Sequence, residues 1–162
     1  MERCFKNNIV GEIMNCYLCG KRARNCTPWN DYICDECLEN INIENNRINN
    51  LGDKERCVEL ESSINDLIKL IETENKGLFP KFYGYLKIMR KNLGICIQDN
   101  FEDLDELIQL LKEDWANCWQ INCGLDEWYI QREEYVEQVK MNQLLRKIEN
   151  KIEKLMKFKG KV

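Results

Sequence analysis

Two Cys-x-x-Cys pairs, Cys16 with Cys19 and Cys34 with Cys37, constrain this chain more than any other feature. Fourteen residues separate them. One such pair is weak evidence, but two at this spacing point to a tetrahedral metal site. Thiolates at i and i+3 of a tight knuckle can both reach one ion, and two knuckles complete a shell of four sulfurs at about 2.3 Å. Such a shell is closed. It leaves no position for water, so the expected role is one structural zinc and not a Lewis acid. A mononuclear iron site would use the same donors, but rubredoxin-type sites favour a glycine after each pair, and Leu38 follows Cys37. Zinc is therefore the expectation.

The residues around the pairs suggest how the metal is framed. Gly20 follows Cys19 and permits the tight turn that points backbone amides at the sulfurs. Pro28, Asn30 and Asp31 mark a turn before Tyr32 and Ile33, which have strand character. Asp35, Glu36 and Glu39 cluster around Cys37 as in the acidic first turn of a helix. The order expected is knuckle, hairpin, helix. Upstream, Ile9, Val10, Ile13 and Met14 read as a strand or turn entering the first knuckle, where Gly11 argues against a long helix.

The runs CYLCGK and YICDECLE, at residues 16–21 and 32–39, resemble the zinc-binding domain of the ClpX unfoldase. The resemblance covers residues 16–39 alone. It implies a treble-clef fold with Cys16, Cys19, Cys34 and Cys37 as ligands, and a module that dimerises and binds adaptors and substrates. No phosphate-binding loop of the G-x-x-x-x-G-K-[ST] type occurs, so unfoldase activity does not carry over. The stretch is also similar to the Gin type of anti-sigma factor. Both likenesses imply a protein-binding zinc module.

Elsewhere the periodicity is helical. Cys57, Leu60, Ile64, Leu67, Ile68 and Ile71 form one stripe in 53–75. Phe82, Tyr85, Leu86, Met89 and Leu93 form another in 78–93, with Pro80 in the first turn and Gly94 as the stop. A third helix is expected over 99–120, capped by Asp99 or Asn100. Leu107, Leu110 and Trp119 widen its stripe, which predicts that it is the central helix. Asp126 is placed to cap a last helix over 127–157, roughly 45 Å long at 1.5 Å per residue.

The fold class expected is mainly α, with a small N-terminal zinc module followed by a bundle of about four helices ending in a long one. The domains read as a zinc-binding module at 1–40, an Asn-rich linker at 41–52 and a helical domain at 53–162.

Composition narrows the chemistry. There are ten cysteines and no histidine. The missing histidine removes imidazole acid–base catalysis, Ser-His and Cys-His nucleophiles and mixed Cys/His metal sites. No carboxylate pair stands out in an apolar setting, and Ser62 and Ser63 have no base nearby, so no enzyme activity is expected. Cys4, Cys26, Cys57, Cys96, Cys118 and Cys123 read as small buried or loop residues and not as disulfides. There is no apolar run long enough for a membrane span and no signal-peptide core, so a cytoplasmic protein is expected.

Net charge is −4, which gives no whole-molecule case for nucleic acid. The charge is nevertheless segregated. Residues 76–92 carry five basic residues and no acid, residues 99–137 carry twelve acids and two bases, and residues 138–162 carry eight bases and two acids.

Four candidate binding features follow. Lys21, Arg22, Arg24 and Trp29 form a basic loop between the cysteine pairs. Lys81, Lys87, Arg90 and Lys91 interleave with Phe82, Tyr83 and Tyr85, as in single-strand binders. Glu102, Asp103, Asp105 and Glu106 form an acidic face. Trp115 and Trp119, near Trp128 and Tyr129, are candidate interface anchors.

The leading expectation is a non-enzymatic protein-binding adaptor or inhibitor that docks on a larger assembly, such as a virus- or mobile-element-encoded inhibitor of a host defence system (anti-CRISPR type). The alternative is a nucleic-acid-binding transcriptional regulator that uses the zinc loop and the basic-aromatic helix. A homodimer through the zinc module or the C-terminal helix fits either reading.

Overall fold

The computed structural model describes residues 15–16, 18–26, 32–75, 77–120 and 124–159. The segment Ile9–Met14, the turn with Pro28, Trp29, Asn30 and Asp31, and Cys4 and Cys123 lie outside the described residues, as does the side chain of Cys26. The elements are β1 (Asn25–Cys26), β2 (Tyr32–Ile33), α1 (Asp35–Asn50), α2 (Asp53–Asn75), α3 (Phe82–Gln98), α4 (Leu104–Asn117), a 3-10 turn (Leu125–Glu127) and α5 (Tyr135–Leu155). The chain is mainly helical, with four clustered cysteines near its N-terminus and a helical bundle after them. It divides into two compact units, 1–47 and 48–162, and the division falls inside α1. No described helix is long and apolar enough to cross a membrane.

The first unit is a knuckle, a hairpin and a helix. An isolated antiparallel bridge joins Asn15 to Arg22 across the knuckle. Strands β1 and β2 pair antiparallel with Asn25 opposite Ile33 and Cys26 opposite Tyr32. Helix α1 begins directly after Cys34, with Asp35 and Glu36 in its first turn, where carboxylates complement the partial positive charge of the helix start. It runs on to Asn50, so residues 41–50, part of the expected Asn-rich linker, are helical. Asparagine is a poor helix former, but Ile48 is fully buried and Arg47 forks onto the Glu44 carboxylate one turn earlier.

In the second unit α2 and α3 are the inner helices, each packed extensively on two others. α2 packs on α3 and α5, whereas α4 packs extensively on α3. Nine α2 side chains are buried against four on α4. This corrects the expectation that the 99–120 helix is central. The width of its apolar stripe misleads, because Leu110 and Trp119 remain exposed.

The other boundaries shift for physical reasons. α2 matches its periodicity, but α3 passes through Gly94 to Gln98. Asp99 closes α3 and does not open α4, and Asn100 and Phe101 take positive φ in the turn. The Phe101 N–H donates to the Cys96 carbonyl at 2.8 Å, a six-to-one bond that ends α3 without a glycine. α4 starts at Leu104 after Asp103.

The last helix starts eight residues later than expected, at Tyr135, and is about 31 Å long at 1.5 Å per residue. Ahead of it, residues 128–134 form a strap. Ile130 is buried, and Trp128 meets Phe82 edge-on with ring centroids 6.0 Å apart. Asn142 pairs with both backbone groups of Ile130, accepting its N–H at 2.9 Å and donating to its carbonyl at 2.7 Å. Burying Ile130 and satisfying its backbone competes successfully with extending the helix.

Candidate metal centre

Cys16, Cys19, Cys34 and Cys37 come together, as their spacing predicts. Their four Sγ atoms all lie within 4.8 Å of one another, and Cys19 Sγ is 3.6 Å from Cys34 Sγ. Sulfurs at about 2.3 Å from one tetrahedral ion stand about 3.8 Å apart, so the four can hold one metal ion.

Local structure builds the cluster. The Gly20 N–H donates to the Cys16 carbonyl at 2.8 Å, and the Cys16 N–H donates to the Lys21 carbonyl at 2.7 Å. These bonds close the knuckle, and Gly20 adopts φ +74°, which a side chain would strain. The second pair straddles the start of α1, with Cys34 just before it and Cys37 in its first turn, and the Leu38 N–H donates to the Cys34 carbonyl at 3.0 Å. Asn25 Nδ2 donates to Asp35 Oδ1 at 2.6 Å, and Lys21 pairs with Glu36. Both contacts tie the knuckle and hairpin to the helix start.

Electrostatics treat the four thiols differently. Burial raises the Cys16 thiol, but backbone N–H groups of Cys34, Leu18 and Cys19, with the Cys19 side chain, outweigh it and bring it down to about 6. Cys37 is pushed far up, first by burial and then by sharing the site with the Cys19, Cys34 and Cys16 thiols. For Cys19 the Lys21 backbone N–H pulls downward, yet burial and the Cys34 and Cys16 side chains leave it raised. Four sulfurs this close cannot all ionise without a cation between them. Lys21 is raised and Glu36 lowered by their mutual hydrogen bond and attraction, but both are exposed, so the pair orients the loop more than it stabilises it.

The core beneath the centre is small. Ala23 and Ile33 are buried with Cys16 and Cys34, and Tyr32, Cys37, Leu38 and Ile41 pack partly against them. That is too little apolar area to hold so short a unit on its own, and a metal cross-link is the usual remedy.

The remaining candidate residues are scattered. Lys21, Arg22 and Arg24 are exposed around the knuckle. Glu102, Asp103, Asp105 and Glu106 are all exposed at the entry to α4. Trp119 is 37% exposed, but Trp115 is buried beneath it in an edge-to-face contact at 5.5 Å and presents no binding surface. Phe82 is core, whereas Tyr83 is half-buried and stacks on exposed Phe79 at 4.4 Å and 16°. Exposed Phe79 and Leu78 at the α2–α3 turn escaped the periodicity because they lie outside any stripe. Cys57 and Cys118 are buried, and burial pushes both thiols up to about 12, as suits inert core residues. No family model, curated protein or solved structure matches the chain.

Proposed function

We propose that the protein is a non-enzymatic, zinc-stabilised adaptor or inhibitor that docks on a basic protein partner through the acidic entry to α4. The observation that carries this reading is the exposure of Glu102, Asp103, Asp105 and Glu106, four carboxylates within five residues. Exposed Trp119, farther along the same segment, supplies the kind of aromatic anchor that interfaces favour. A positive groove on the partner would be steered toward this surface, and one built for nucleic acid fits best. That is how an inhibitor of a nucleic-acid-handling assembly, such as an anti-CRISPR protein, would act. The metal in this reading is one zinc held by four sulfurs, with no ligand position left for chemistry.

The test is an affinity capture with partners identified by mass spectrometry, run beside a variant with Glu102, Asp103, Asp105 and Glu106 changed to lysine. The reading expects specific partners that the variant loses. Partners retained at full strength by the variant reject it.

One observation favours a second reading, as a nucleic-acid-binding regulator. Phe79 stacks on Tyr83, whose hydroxyl donates to Glu72, and Lys87 Nζ sits 5.4 Å from the Tyr83 ring. Exposed Phe79 and half-buried Tyr83 beside a lysine offer a stacking platform for single strands. A salt titration against single-stranded and duplex probes separates the readings, because phosphate contacts weaken steeply with salt.

A further inference from the structure

Helices α3 and α4 carry opposite charge side by side. α3 has Lys87, Arg90 and Lys91 and no acid, whereas α4 has Asp105, Glu106, Glu113 and Asp114 against Lys112 alone. Each helix also leaves an apolar residue on its outer side. On α3, Ile88, Lys91 and Ile95 stand at i, i+3 and i+7, a single stripe about 60° wide, with both isoleucines nearly half exposed at 47% and 48%. On α4, Glu106, Leu110 and Glu113 form the matching stripe at i, i+4 and i+7, with Leu110 41% exposed. Both stripes face away from the core on a packed helix pair. Among the described residues, no ion pair links Lys87 or Lys91 to Glu106 or Glu113 within the chain.

We infer that this α3–α4 face is a homodimer interface, whose occupant is a second copy of the same chain. A twofold axis parallel to the helices, set between the pair and its copy, lays α3 of one copy against α4 of the other, twice over. Ile88 and Ile95 then close on Leu110 of the partner copy, while Lys91 and Lys87 meet its Glu106 and Glu113. The apolar residues sit at the centre and the charges at the rim, the arrangement that excludes water and fixes register. The contact is self-complementary, so it closes at two copies. A uniformly basic surface laid across both helices would match α4 but be repelled by α3, and a uniformly acidic one the reverse. Only a surface with the same alternation satisfies both helices. The inference does not depend on the proposed function. Glu106 belongs to both surfaces, but sedimentation of the pure protein tests this one without any foreign partner.

Sedimentation velocity of the metal-loaded full chain decides it. The wild type is expected to dimerise, with a dissociation constant that rises with salt. Two charge variants, Lys87→Glu/Lys91→Glu and Glu106→Lys/Glu113→Lys, should each be monomeric, because each makes both helices the same sign. Mixing the two should restore a heterodimer, which also shows that neither variant has misfolded. Ile95→Asp, at an exposed position, should be monomeric with unchanged helix content. A wild type that stays monomeric at the highest attainable concentration overturns the interface. So does a dimer that survives both charge variants, or a mixture that fails to reassociate.

Discussion

The Arg56 guanidinium donates to the Lys154 main-chain carbonyl at 3.1 Å, joining the start of α2 to the end of α5 across 98 residues of sequence. The same side chain donates to the Ile48 carbonyl at 2.7 Å and the Leu51 carbonyl at 3.2 Å, and it is only 2% exposed. A buried cation is tolerable here because its acceptors are carbonyls at the C-terminal ends of α1 and α5, where helix dipoles concentrate negative charge. Arg56→Met keeps the apolar stem but orphans the carbonyls. It should cost about 2–4 kcal/mol in urea unfolding. Arg56→Lys should recover only part of this, because an ammonium cannot fork across acceptors on two helices.

Arg56 also shows where sequence reasoning stops. Its stripe neighbours Cys57, Leu60 and Ile64 were legible as core from their spacing, and α2 keeps the bounds its periodicity implies. A buried arginine is invisible to that reasoning, because its acceptors come from main-chain atoms far along the chain. The strap at 128–134 escaped for the same reason: Asn142 reads as a polar helix residue until Ile130 is seen lying on it. The four cysteines were fully legible, since their chemistry sits in the spacing itself. The opposite charges of α3 and α4 appeared in the sequence only as blocks, and their adjacency needed the fold.

Glu149 makes stability depend on pH. Burial pushes its carboxyl up from 4.5 to about 7; Arg146 pulls it down and Asp126 pushes it up, each by less. The folded chain therefore binds a proton more tightly than the unfolded one. Stability from this group is complete below pH 4.5 and is lost as pH rises through about 7. Denaturant midpoints measured from pH 5 to pH 8 should fall, by an amount equivalent to about 1–3 kcal/mol. Glu149→Gln should flatten that slope and raise stability at pH 8. A slope unchanged by the substitution would assign the pH dependence to another group.

Three glycines should respond to alanine with opposite signs. Gly84 and Gly94 lie inside α3. A methyl at Gly84 meets nothing within 4 Å, and one at Gly94 only the tip of Glu61 at 3.6 Å. Each change should stabilise by about 0.5–1 kcal/mol through reduced unfolded-state entropy and better helix propensity. Gly124 is different: a Cβ there would lie 2.7 Å from the Gln120 carbonyl oxygen and 3.0 Å from the Trp119 carbonyl carbon. Those are main-chain atoms that cannot swing aside, so Gly124→Ala should destabilise by about 1–3 kcal/mol. Melting temperatures of the three variants test the contrast directly.

Metal removal should act on the two units unequally. In the first unit, Cys16 and Cys34 are half of the four-residue buried core as well as half of the ligand set. Losing the metal therefore removes a cross-link and leaves almost no apolar area to replace it. Structural zinc sites contribute on the order of 10 kcal/mol at neutral pH, more than so small a core can supply. In the second unit the core from Ile48 to Met156 contains no ligand. Chelation, or Cys34→Ser, should abolish amide protection in residues 15–47 and open them to proteolysis, while α2 to α5 keep their protection. Metal analysis should find one ion per chain in the wild type and none after chelation. Full amide protection of the hairpin and early α1 in the metal-free protein would show that Ala23 and Ile33 suffice, and that the four sulfurs serve some purpose other than folding.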